Sequence, residues 1–121
     1  MTYRVEGARE LRRTLRKAGD DLTELKETHR QVGTFVTGRA KPRTPHRTGR
    51  LGATGRPGAT KTAALVRFGG ARAPYARYVH WGTKKMKARP WVTEAAEETQ
   101  AVWERMYHQG VDRVLARIKG V

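Results

Sequence analysis

The feature that most restricts this chain is the stretch 28–93, which carries 15 Lys and Arg and no Asp or Glu. A segment without carboxylates cannot neutralise its own cations. Such a block normally faces solvent, a polyanion or an acidic protein surface, because unpaired like charges repel. All 11 acids fall within residues 6–27 or 94–112, and the flanks hold 11 Lys and Arg that balance them. The formal net charge of +15 thus belongs wholly to the centre of the 121-residue sequence. A chain of this length forms one domain and buries roughly 60–70% of its unfolded surface, leaving little for a second core.

The balanced flanks carry helical periodicity. Ala8, Leu11, Leu15, Ala18, Leu22, Leu25, Val32 and Val36 recur at steps of three and four, with His29 filling the missing step. This spacing predicts two amphipathic helices, about 7–18 and 20–40, separate or joined at a kink near Gly19. Asp21 and Glu24 have the spacing of a capping box. A second stripe follows after residue 93: Ala95, Ala96, Thr99, Val102, Trp103, Met106, Val111, Val114, Leu115 and Ile118. It predicts one long C-terminal helix over about 91–119, with Gly110 a point where it bends or loosens. Glu94, Glu97 and Glu98 near its start and Arg113, Arg117 and Lys119 near its end suit the helix dipole.

The centre has a different grammar. Pro45, Gly49, Gly52, Gly55, Pro57 and Gly58 punctuate a long basic loop, 43–62, whose tip is expected to be mobile. Residues 63–68 and 75–81 read as strands stopped by Gly69-Gly70 and Gly82. A third strand is expected within 51–56, and 3–5 is a candidate edge. The expectation is a single α+β domain over 1–121: N-terminal amphipathic helices, a small antiparallel sheet over about 63–83, and a long C-terminal helix.

Much chemistry is excluded. The chain has no Cys and no Ser, so disulfides, Cys-ligated zinc and Ser or Cys nucleophiles are impossible. His29, His46, His80 and His108 lack metal-ligand spacing, and no acids accompany the predicted strands as a metal-dependent nuclease requires. The glycine-rich loop lacks the Gly-Lys-Thr/Ser ending of a P-loop. The longest uncharged run is eight residues, 31–38, too short for a membrane span, and the start shows no apolar signal region. No catalytic residue, cofactor or metal is expected, and the class is a soluble, basic, intracellular-type domain. Two binding readings stay open. Arg39, Lys41, Arg43, Arg47, Arg50, Arg56 and Lys61 suit phosphates, with Tyr75, Tyr78 and Trp81 for stacking. Alternatively those aromatics are core and the basic loop meets an acidic protein. A small metal-free ribonuclease using Arg77, Tyr78, His80 and Lys84 is the weakest option.

Three motifs stand in order. Pro45-His46-Arg47-Thr48-Gly49-Arg50-Leu51 follows the first helical region. Pro74-Tyr75-Ala76-Arg77-Tyr78-Val79-His80-Trp81-Gly82-Thr83 comes next, and Arg89-Pro90-Trp91-Val92 opens the last helix. This order resembles the neck, or tail-completion, family of long-tailed bacteriophages, the broad set that includes the HK-type gene-product-ten group and the lambda minor tail protein Z. The family pattern is roughly Pro-x-x-Thr/Ser-Gly-x-Leu, then Tyr-x-x-x-Val/Ile-Glu/His-x-Gly-Thr, then Arg-Pro-Phe-Leu. His80-Trp81 replaces the commoner Glu-Phe, and Trp91 the usual aromatic. The resemblance covers about 40–121 and implies a non-enzymatic virion protein assembled in the bacterial cytoplasm. Copies would form a ring, six-fold to match the tail, around the DNA channel at the head–tail joint. Its neighbours would be head-completion or adaptor proteins and the tail terminator or tail tube, with non-specific contact to packaged double-stranded DNA. A tail-terminator role is the near alternative. On this reading the contact residues are Arg43, Arg47, Thr48, Gly49, Arg50, Arg56, Lys61, Tyr75, Tyr78, His80, Trp81, Gly82, Pro90 and Trp91.

Overall fold

The computed structural model describes residues 1–5, 13, 25–45, 49–60, 63–71 and 73–118. Helix α1, Leu25–Ala40, forms because Leu25, Thr28, His29, Val32, Gly33, Val36, Thr37 and Ala40 mark one face at helical spacing, and all are buried. That face lies on a three-stranded antiparallel sheet built from β1, Thr2–Val5, β2, Arg56–Ala59, and β3, Ala64–Arg67. The strand order is β1-β3-β2, with Arg4 opposite Leu65 and Pro57 opposite Val66. Pro57 cannot donate to a ladder, and it sits on an edge strand. Alternation sends Val5, Ala64 and Val66 toward α1 and leaves Thr2, Arg4, Arg56 and Arg67 exposed on the other face.

Gly33 lets α1 approach the sheet closely: a Cβ there would stand 2.9 Å from the Gly58 carbonyl oxygen. The same broad buried face of α1 also receives the C-terminal helices, α4, Trp91–Glu98, and α5, Gln100–Ile118, with Thr28 and His29 meeting α5. In the chain, α1 and α4 are separated by the short helices α2, Arg50–Ala53, and α3, Ala76–Trp81. The core joins Val32, Val36 and Ala40 to Val5, Val66, Phe68, Trp91, Val92, Ala95 and Tyr107. His29, placed by periodicity on the buried stripe, accepts that position through a 2.8 Å hydrogen bond between Nδ1 and the Tyr107 hydroxyl.

The α+β class and the strands at 2–5 and 64–67 agree with the sequence reading, and several local expectations do not. Residues 75–81 form a turn and helix α3 rather than a strand, because Ala76 and His80 are buried four apart while Tyr75, Tyr78 and Trp81 recur every third residue. Within the supposed loop, residues 50–53 are helical and the strand runs over 56–59, not 51–56. The long C-terminal helix is present as α5, and only its first turns, α4, are set off from it at Thr99, whose hydroxyl donates to the Ala95 carbonyl at 2.7 Å while Val102 N–H bonds the Thr99 carbonyl. Val102 faces outward, whereas Tyr107, absent from the predicted stripe, is buried. Gly110 lies inside α5 and leaves it unbroken; a Cβ there would fall 2.2 Å from Thr28 Oγ1, so it marks where α5 crosses α1. The helix expected over 7–18, the capping box at 21–24 and the kink at Gly19 fall outside the described residues.

Candidate interaction surface

The segment 70–90 is built to present α3 outward. Gly70 and Ala73 form an isolated bridge, and Ala76 N–H bonds the Ala73 carbonyl to start the helix just after Pro74. Gly82 ends it with φ at +81°, donating to Tyr78 O at 2.8 Å. A side chain at Gly82 would collide with the Ala88 nitrogen at 2.8 Å. The chain then doubles back. Thr83 and Met86 exchange backbone hydrogen bonds, and Arg89 N–H bonds Val79 O at 2.9 Å, which clamps the 83–89 loop against α3.

Two residues root this helix. Ala76 and His80 are buried, and His80 stacks edge-on against Trp81 at 4.1 Å and Trp91 at 5.0 Å. Burial lowers the His80 imidazole from 6.5 to about 4, so at neutral pH it is uncharged. Its Nε2 accepts the Thr93 N–H at 3.4 Å, which places the ring proton on Nδ1. Nδ1 of His80, Nε1 of Trp91 and Oγ1 of Thr93 are buried with no hydrogen-bond partner among the described residues. Trp91 itself follows Pro90 at the start of α4 and meets Phe68 edge-to-face at 5.5 Å, pinning that helix to the sheet. Trp91 and His80, expected as contact residues, are thus instead buried in the core of this chain.

The outer face of α3 is aromatic. Tyr75, Tyr78 and Trp81 are 41%, 46% and 58% exposed, so they are not core residues, and Met86 joins them at 46%. The Arg77 guanidinium lies 5.2 Å over the Tyr78 ring and donates to its hydroxyl at 3.3 Å, drawing that phenol below its ordinary range. Lys84, Lys85, Lys87 and Arg89 are exposed around the patch. The sequence reading had missed Met86 as a surface residue. Its signal is a lone apolar side chain between lysines.

The other expected contact residues are dispersed. Arg43 pairs with Glu98 on α4. Gly49, with φ at +75°, turns the chain into α2 ahead of Arg50. Arg56 lies on β2, well apart in sequence from α3. Arg47, Thr48 and Lys61 lie outside the described residues. The four types that a metal-free ribonuclease would need do not share a face: Arg77, Tyr78 and Lys84 are exposed and His80 is turned inward. Among the described residues no three His, Asp or Glu side chains gather as metal ligands, and no helix is long and apolar enough to cross a membrane. No family model, curated protein or solved structure matches the chain.

Proposed function

We propose that this protein is a structural component of the head–tail joint of a long-tailed bacteriophage, with copies arranged in a closed ring and no catalytic turnover. One observation carries the reading: the Tyr75–Trp81 motif that resembles the neck family stands as an exposed aromatic face on a rigidly rooted helix. Tyr, Trp, Met and Arg are the residue types enriched at the centre of protein interfaces. Nothing inside the described chain covers them, and a ring contact or a neighbouring neck protein would. A closed ring needs two different faces on each subunit. The aromatic, basic α3 face and the outer face of α4, with Glu94 and Glu97 exposed, supply a complementary pair.

Deletion of the gene from a phage that carries it is the test. The reading expects filled heads and complete tails that remain unjoined under the electron microscope. Joined, infectious particles made without the protein would overturn it.

A further inference from the structure

We propose that the cleft between α2 and the β3–α3 turn binds an Asp or Glu carboxylate presented by an acidic partner protein, with Arg56 as the receiving group. The cleft measures about 420 Å³ and runs between residues 53–56 and 69–71. Its walls are tied to each other before any ligand arrives. Gly69 N–H donates to Thr54 Oγ1 at 2.8 Å, and Thr54 Oγ1 donates in turn to the Leu51 carbonyl at 2.6 Å. Arg56 adds a second tie, since its Nη1 donates to the Thr54 carbonyl at 3.0 Å and the Gly69 carbonyl at 3.1 Å. Gly55 backs one wall onto the Phe68 ring, where a Cβ would stand 2.7 Å away, and Gly69 backs the other onto Ala76, also at 2.7 Å. A recess held this way loses little conformational freedom on binding.

The Arg56 bonds occupy Nη1 and leave Nε–H and Nη2, the side-on fork that matches the two oxygens of a carboxylate. No carboxylate occurs in 28–93, and the ion pair seen among the described residues, Arg43–Glu98, is elsewhere. The described fold therefore supplies Arg56 with no acid of its own. Beside the fork the cleft offers Ala53, Ala71 and bare glycine backbone. Gly70 has φ of +121°, and a Cβ on it would meet nothing within 4 Å, so a short side-chain stem can lie against the main chain there. Duplex DNA is held by many cations spread over a surface, whereas this recess presents one free fork. A small free acid needs near-complete enclosure and several converging polar groups, and the cleft is open on one side. One oriented charge in a rigid recess suits a single anchor within a larger protein contact, where complementary charge sets register and partner choice. The aromatic face of α3 lies outside this lining, so the anchor is separate from it.

The inference goes beyond the joint reading and stands or falls separately from it, because it is tested on the purified chain. Isotope-labelled protein is titrated with acetyl-Ala-Glu-Ala amide and with the neutral acetyl-Ala-Gln-Ala amide. NMR follows the backbone amides of Gly55, Gly69, Gly70 and Ala71 and the Arg56 Nε–H. The Glu peptide is expected to shift these signals with a dissociation constant on the order of 1–10 mM, and the Gln peptide to bind at least about tenfold more weakly. Arg56→Lys keeps the charge without the fork and is expected to lose about tenfold in affinity. Ala71→Trp fills the cleft from an exposed position and leaves the Arg56 bonds alone. Abolished binding at an unchanged melting temperature in that variant separates the site from any folding defect. Lys84→Gln/Lys85→Gln is expected to bind as the wild type does. No shift at these residues with the Glu peptide at tens of millimolar, an equal response to both peptides, or equal weakening in the lysine control would overturn the proposal. So would inorganic phosphate or a DNA duplex that shifts the same signals as strongly as the Glu peptide. Self-association of the chain that Ala71→Trp abolishes would give the cleft to a second copy and overturn it equally.

Discussion

At the scale of single residues, two glycines decide how closely the helices meet their neighbours. Gly33 faces the backbone of β2 and β3, and Gly110 faces Thr28 on α1, both at distances where a methyl group collides. Neither has the positive φ that would call for glycine on conformational grounds, so space alone requires them. Gly38, in the same helix as Gly33, meets nothing within 4 Å. Gly33→Ala and Gly110→Ala are therefore expected to cost about 1–3 kcal/mol each in urea unfolding. Gly38→Ala is expected to add about 0.4–1 kcal/mol. His80 makes a different prediction. Its folded value is about 4 against 6.5 for an unperturbed imidazole, so between those pH values the unfolded chain holds a proton that the folded chain lacks. The stability tied to the neutral ring is complete above about pH 6.5 and is lost as pH falls toward 4. The groups around the ring are Tyr3, Trp81, Trp91 and Thr93, none of them a carboxylate or a second imidazole. His80→Gln keeps an acceptor but does not titrate, and its melting temperature should fall less than the wild type's between pH 7 and 4.5.

At the scale of elements, α3 separates folding from contact. Its inner side, Ala76 and His80, is fixed in the core, while Tyr78 and Trp81 project outward. Tyr78→Ser/Trp81→Ser is expected to melt within a few degrees of the wild type, since exposed positions seldom change stability by more than about 0.5 kcal/mol. The same variant, supplied to a phage lacking the gene, should fail to restore joined particles. An equal loss of melting temperature and joining would mean the aromatics are structural. This helix also marks where the sequence could be read and where it could not. The stripe of α1 was legible because Leu25, His29, Val32 and Val36 hold one period for about three turns, long enough to outweigh local noise. Residues 75–81 are two turns at most, and Tyr, Val and Trp favour strands by propensity, so a three-residue spacing was overlooked. Thr99 divided the last helix through a side-chain bond to Ala95 that no hydrophobic pattern encodes.

At the scale of the molecule, the uneven charge of the sequence becomes a division of surfaces. Among the described residues, exposed acids sit on α4 and α5 and at Glu27 of α1, and the sheet, α2 and residues 73–90 carry cations without them. One subunit therefore offers an acidic face and an aromatic-basic face, as a ring subunit needs. The central claim is the place of the protein in the particle. Cryo-electron microscopy of the intact virion tests it most directly. The account predicts a closed ring of copies at the head–tail joint, with Tyr78 and Trp81 covered by a neighbouring chain. A virion with no copy at the joint, or copies whose α3 face is open to solvent, would contradict it.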